Sequence, residues 1–133
     1  MSNAKLDSIV GIVLLVVTLS SEAHHSFTAE FAADKPLKMA GIVTKVEWMN
    51  PHSWFYIDVK NDDGTVTSWG LELASPNILM RSGWTRTTLK AGDAVVVEGY
   101  HSRDGSNIGN ARVIVLTATG QSLLAGSSVG RTP

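Results

Sequence analysis

WFYIDVKNDDGTVTSWGLEL, residues 54–73, decides the fold. Phe55, Ile57 and Val59 alternate with Trp54, Tyr56, Asp58 and Lys60, the period of two that marks a half-buried strand. Asn61-Asp62-Asp63-Gly64 then supplies turn chemistry. A second alternating run, residues 66–73, places Trp69, Leu71 and Leu73 on one side. Two such runs around a Gly-containing turn predict an antiparallel hairpin.

Upstream, residues 37–49 repeat the pattern. Ile42, Val46 and Trp48, with Thr44 between them, fall on one face, and Lys45 and Glu47 on the other. Gly41 suits a bulge or tight bend, and Asn50-Pro51 ends the run. Residues 27–37 read as an irregular entry, because Pro36 discourages regular pairing. Downstream, Ser75-Pro76 is an N-cap followed by a proline at the first helical position, with Gly83 as the C′ residue. The helix is about two turns long and buries Ile78, Leu79 and Met80.

Val95-Val96-Val97 has little alternation and predicts a central or strongly curved strand. A polar loop over residues 102–110 leads to a last long strand over residues 111–118. Residues 122–124 are expected to fold back after Gly120-Gln121 as a short arm, and residues 127–133 are expected to form a mobile tail. There is no internal repeat. Three meandering strands, a helix and two strands follow the order of an OB-fold. The expected class is therefore all-β, a small five-stranded OB-like barrel whose one short helix joins the third and fourth strands. A β-sandwich would need more strands.

Residues 9–19 (IVGIVLLVVTL) are too few to span a bilayer, which takes about 20 apolar residues. They suit the core of a secretory signal, with Lys5 before it and Ser21-Glu22-Ala23 as the cleavage site. Residues 1–23 are thus predicted to be a signal peptide, leaving 110 of 133 residues with one domain over residues 24–126. The expected location is periplasmic or secreted, with no membrane span after processing. The formal charge of the whole chain is −1, and Lys and Arg are scattered singly, which disfavours nucleic acid as a partner. With no cysteine, the chain has neither disulfides nor thiol chemistry.

HHSFTAEF from residue 24, GIVTKVEWMNPHSWFYIDVKNDDG from residue 41, SPNILMRSGWTRTTLKAGDAVVVEGY from residue 75 and DGSNIGNAR from residue 104 together resemble a family of small exported bacterial proteins of unknown function. The resemblance covers residues 24 to about 126, and the NPHxW and SPNxLxRxGW stretches are its distinctive parts. It implies an exported single domain and carries over no activity and no functional residues.

Cleavage after Ala23 would put an α-amine and an imidazole on the same residue, His24. A second imidazole from His25, His52 or His101 completes a nitrogen-rich site, a donor set that favours Cu(II), with Zn(II) second. Cleavage one residue earlier would leave Ala23-His24-His25, which also binds Cu(II) strongly through backbone nitrogens. Asn50, Glu30 and Asp104 are candidate outer-shell partners for these rings. The plainer reading is that the terminal pair begins a polar arm and that His52 is hydrogen-bonded within the Pro51 turn.

Trp54 and Tyr56, on the outer face of the second strand, are candidates for a stacking platform, since OB-folds use the face of strands two and three for ligands. Trp48 and Trp69 are expected in the core, with Trp84 plugging one end. Asp104-Gly105-Ser106-Asn107 lacks the spaced carboxylates of a calcium loop. Asp58, Glu72 and Glu98 fall on faces expected to be solvated, and no nucleophile or metalloprotease motif is present. The sequence therefore points away from an enzyme. It points to an exported accessory protein that binds copper through His24, or to an aromatic-faced module for a glycan, peptide or partner protein. A structural part in an envelope assembly, through strand addition at an open edge, is a third role.

Overall fold

The computed structural model describes residues 27–126. Strands dominate: β1 (Phe31–Glu47), β2 (Trp54–Lys60), β3 (Val66–Glu72), β4 (Ala94–Ser102), β5 (Ile108–Leu116) and β6 (Ser122–Leu124). One helix, α1 (Pro76–Arg81), lies between β3 and β4, and a helical turn over residues 27–30 precedes β1. The all-β class holds, with six strands among the described residues where five were expected. The proposed signal peptide, His24, His25 and the tail lie outside the described residues.

The strands form one sheet in the order β3-β2-β1-β4-β5-β6. β5 also returns to β3, in parallel, through Gly70↔Ile108, Leu71↔Gly109 and Glu72↔Asn110. Five strands are thereby linked in a circuit, and β6 borders the far half of β5 through Val113↔Leu124, Ile114↔Leu123 and Val115↔Ser122. Phe55, Ile57, Leu71, Leu79, Val95, Val97 and Ile114 belong to one buried core cluster drawn from these strands and α1.

The first strand differs from expectation in two ways. It begins at Phe31 rather than near Leu37, and Pro36 sits within it opposite Tyr100. An irregularity between Phe31 and Pro36 accommodates the missing N–H there. Second, Val43 is buried while Ile42 is 47% exposed, the reverse of the expected faces. The cause is a bulge: Val43 pairs with Ile57 and Lys45 with Tyr56, so Thr44 is an extra residue that shifts the alternation by one. Leu37 and Val43 therefore face inward before the bulge, and Val46 packs against the core after it. The bulge is fastened by Val43 N donating to Asp93 O (2.9 Å) and Gly92 N donating to Val43 O (2.8 Å).

The helix reads as the sequence predicts. Ser75 caps it, accepting from Ile78 N through Oγ (3.4 Å), Pro76 opens it and Gly83 follows with φ +90°. Leu79 is its buried residue; Met80 is 54% exposed, because six residues present too narrow a face to bury both. Trp84 is buried after the helix and donates from Nε1 to Leu124 O at 2.9 Å, tying α1 to β6. Val95 and Val97 are buried with Val96 between them less so, and β4 is central, paired with β1 and β5.

Candidate functional site

On β2 and β3, Phe55, Ile57 and Leu71 point into the core, which leaves Trp54, Tyr56, Gly70 and Glu72 on the opposite face. Gly70 gives that face a flat floor. A Cβ there would meet the Tyr56 ring at 3.3 Å and Trp54 Cζ3 at 4.0 Å, so both rings lean across the strand. Tyr56 is engaged: its hydroxyl donates to Glu47 Oε2 (3.0 Å) and Lys45 Nζ stands 5.8 Å from its ring centroid. Lys45 also pairs with Glu47. Its ammonium holds the Glu47 carboxyl below the ordinary glutamate value, with the Tyr56 hydroxyl adding to this. Burial and Glu47 in turn raise the Tyr56 phenol.

Trp54 is half-buried and lines a groove of about 430 Å³. One wall is the entry segment, Ala29, Glu30 and Phe31; the other is the β4–β5 connection, with Ser102, Arg103, Asp104, Ser106 and Ile108. Local bonds hold both walls. Arg103 N donates to Glu30 O (2.8 Å), Arg103 Nε donates to Thr28 O, and Phe27 packs on Phe31 and Tyr100 at 5.6 and 6.0 Å. Asp104 Oδ1 accepts from Ser106 N (2.9 Å), Ser106 Oγ (2.6 Å) and Ser102 Oγ (2.9 Å). These donors lower the Asp104 carboxyl to about 2, so it is an anion at any ordinary pH. Its Oδ1 serves the loop, the bonding of a tight turn.

Beside the groove stands Glu72, expected in solvent but only 7% exposed. Trp54 pairs with it across β2 and Asn110 across β5, and Asn110 Nδ2 donates to its Oε1 at 3.3 Å. Burial pushes its carboxyl above the ordinary glutamate value; His52 opposes this, the Glu30 carboxylate adds to it and the Asn110 amide opposes it.

His52 comes from the β1–β2 connection, its side chain about one-third exposed. Its Nδ1 lies 3.1 Å from Leu73 O and 3.2 Å from Glu72 Oε1. The Leu73 carbonyl can only accept, so the tautomer that satisfies it carries the proton on Nδ1 and leaves Nε2 with a free lone pair. His101, near the end of β4, instead sets its ring edge-on to Trp69, with centroids 5.6 Å apart. The two histidines thus reach β3 three residues apart and on opposite faces. Asn50 is exposed. The described residues contain no group of three or more His, Asp or Glu placed to hold a metal ion.

Of the residues the sequence singled out, the structure places His52, Trp54, Glu30 and Asp104 around one region. It adds Glu72, Asn110, Phe31 and Ile108, which sequence reasoning did not assign to it. The available signal was Leu71-Glu72-Leu73, an acid between two core residues at the end of a strand.

A family model matches residues 12–111, and the chain belongs to that family, a family of unknown function (DUF6152). No curated protein matches the chain.

Proposed function

We propose that this is an exported binding protein, an OB-like barrel that takes a small ligand on the outer face of β2 and β3, in the groove beside Trp54. The circuit of pairings, closed by the parallel contact of β3 and β5, is the support for the barrel reading. In such barrels that face, flanked by the β1–β2 and β4–β5 connections, is where ligands bind. The groove beside Trp54 is the observation that carries the reading. At about 430 Å³ it falls within the ordinary range for ligand pockets. Export rests on the apolar run at residues 9–19 and the small residues after it.

A second reading, copper binding with zinc as the lesser choice, draws on His52. An imidazole anchored through Nδ1 by a carbonyl and a carboxylate, with Nε2 free, is the arrangement that orients metal-ligating histidines. The remaining nitrogen donors would be the α-amine and ring of a processed His24, with His25 beside it.

Native mass spectrometry of the protein recovered from the periplasm tests both readings. A mass beginning at His24, with a non-covalent small molecule lost on Trp54→Ala, is expected. A mass beginning at His24 with one copper, lost on His52→Ala and kept in Trp54→Ala, would favour the second reading. A mass retaining residues 1–23 would contradict export.

A further inference from the structure

We propose that the groove beside Trp54 selects an organic cation, an ammonium or guanidinium group carried on an apolar stem. The inference rests on the reading of this groove as a ligand site and adds the class of ligand.

Two carboxylates, Glu30 and Asp104, line the groove against one cation, Arg103. Arg103 keeps its charge while Nε is bonded to the carbonyl of Thr28, so the lining carries one net negative charge. Asp104 is held ionised by three protein donors. Behind the lining, Glu72 is a third acid, set against the His52 ring and within the field of the Glu30 carboxylate. The field in the groove therefore favours a positive guest.

The rest of the lining decides what kind. Phe31, Trp54 and Ile108 are apolar, and the indole of the half-buried Trp54 is the ring best suited to a cation. The same face already pairs a cation with an aromatic ring, Lys45 over Tyr56. A bare metal ion is a poor fit: it needs several converging ligands within about 2–2.6 Å, and no group of three acidic or histidine side chains converges among the described residues. An alkylammonium or guanidinoalkyl group fills the apolar part and places its charge at Glu30 and Asp104.

The guest is linked to a proton. A cation near Glu30 offsets the repulsion that Glu30 exerts on Glu72, which favours the Glu72 carboxylate. Binding at mildly acidic pH then releases protons.

Isothermal titration calorimetry on the full chain, with agmatine as the cationic probe and a neutral disaccharide as the comparison, tests this. One-site agmatine binding is expected, weakened at least tenfold by raised salt and several-fold by Glu30→Gln or Asp104→Asn. In mildly acidic buffers of different ionisation enthalpy, the heats should differ by the released protons. Glu30 is exposed, so Glu30→Gln tests charge without disturbing the core. Asp104→Asn keeps an oxygen acceptor for the loop. Agmatine binding unchanged in both variants would overturn the inference. Disaccharide binding lost on Trp54→Ala, with no agmatine binding, would overturn the cation and leave the ligand site standing. Binding of neither probe counts against both.

Discussion

His52 Nδ1 stands 3.2 Å from Glu72 Oε1 and 3.1 Å from the Leu73 carbonyl, which joins the β1–β2 connection to the end of β3. The contact fixes the ring that borders the outer face of β2 and β3. It also surrounds a carboxyl that burial holds above its ordinary value. Stability, ring orientation and groove charge therefore meet at one side chain.

Glu72 makes stability fall as pH rises. The folded state holds its proton more tightly than the unfolded chain, so the favourable contribution is complete below the ordinary glutamate value of 4.5. It is lost as pH climbs through the raised folded value. Glu72→Gln keeps an oxygen acceptor and removes the charge. The variant should match the parent at low pH and exceed it at neutral pH. The gain should be about 1.4 kcal/mol for each pH unit by which the carboxyl titrates later in the folded protein than in the unfolded chain. Urea unfolding across the pH range checks this.

The bulge at Thr44 predicts an inverted pair of substitutions. Val43→Ala, at a site 1% exposed, should cost about 2 kcal/mol. Ile42→Ala, at 47% exposure, should cost about 0.5 kcal/mol or less. Plain alternation without the bulge gives the opposite order, and chemical denaturation of the two variants decides between them.

Gly99 lies directly against the backbone of β5. A Cβ there would stand 1.8 Å from the Asn110 carbonyl oxygen, a backbone atom that cannot swing aside. Gly99→Ala should cost about 3 kcal/mol, the upper end for overpacking. Gly126→Ala meets ordinary contacts at 3.5 Å and should be nearly neutral. Thermal unfolding of the two separates them.

Trp84 Nε1 holds β6 through Leu124 O. Trp84→Phe keeps most of the apolar ring and removes the donor, at a cost of about 1 kcal/mol. Hydrogen exchange should quicken first at the amides of β6, because this bond links it to the end of α1.

The hairpin of β2 and β3, the capped helix and the short last arm could all be read in advance, since each depends on local chemistry. Alternation set Phe55 and Ile57 inward, Ser75-Pro76 set the helix start, and Gly83 set its end. The extended start of β1 could not be read that way, because Pro36 is tolerated only through pairing with a distant strand. The bulge at Thr44 was hidden for the same reason: the extra residue is defined by its partners Ile57 and Tyr56. Trp54 and His52 stood out by residue type. Glu72 did not, because its burial comes from β5 and the β1–β2 connection, neither of which is its neighbour in sequence. Tyr56 looked equivalent to Trp54, yet Glu47 and Lys45 occupy it.

If ligands enter beside Trp54, amide and indole chemical-shift mapping will show it. A panel of small amines, saccharides and short peptides would be titrated into the labelled protein. Any binder should shift the Trp54 indole together with the amides of Ser106 and Ile108, and Trp54→Ala should abolish the effect. Shifts centred instead on the second, more open groove, about 600 Å³ and bordered by Pro36, Tyr100 and Arg112, would contradict entry at Trp54.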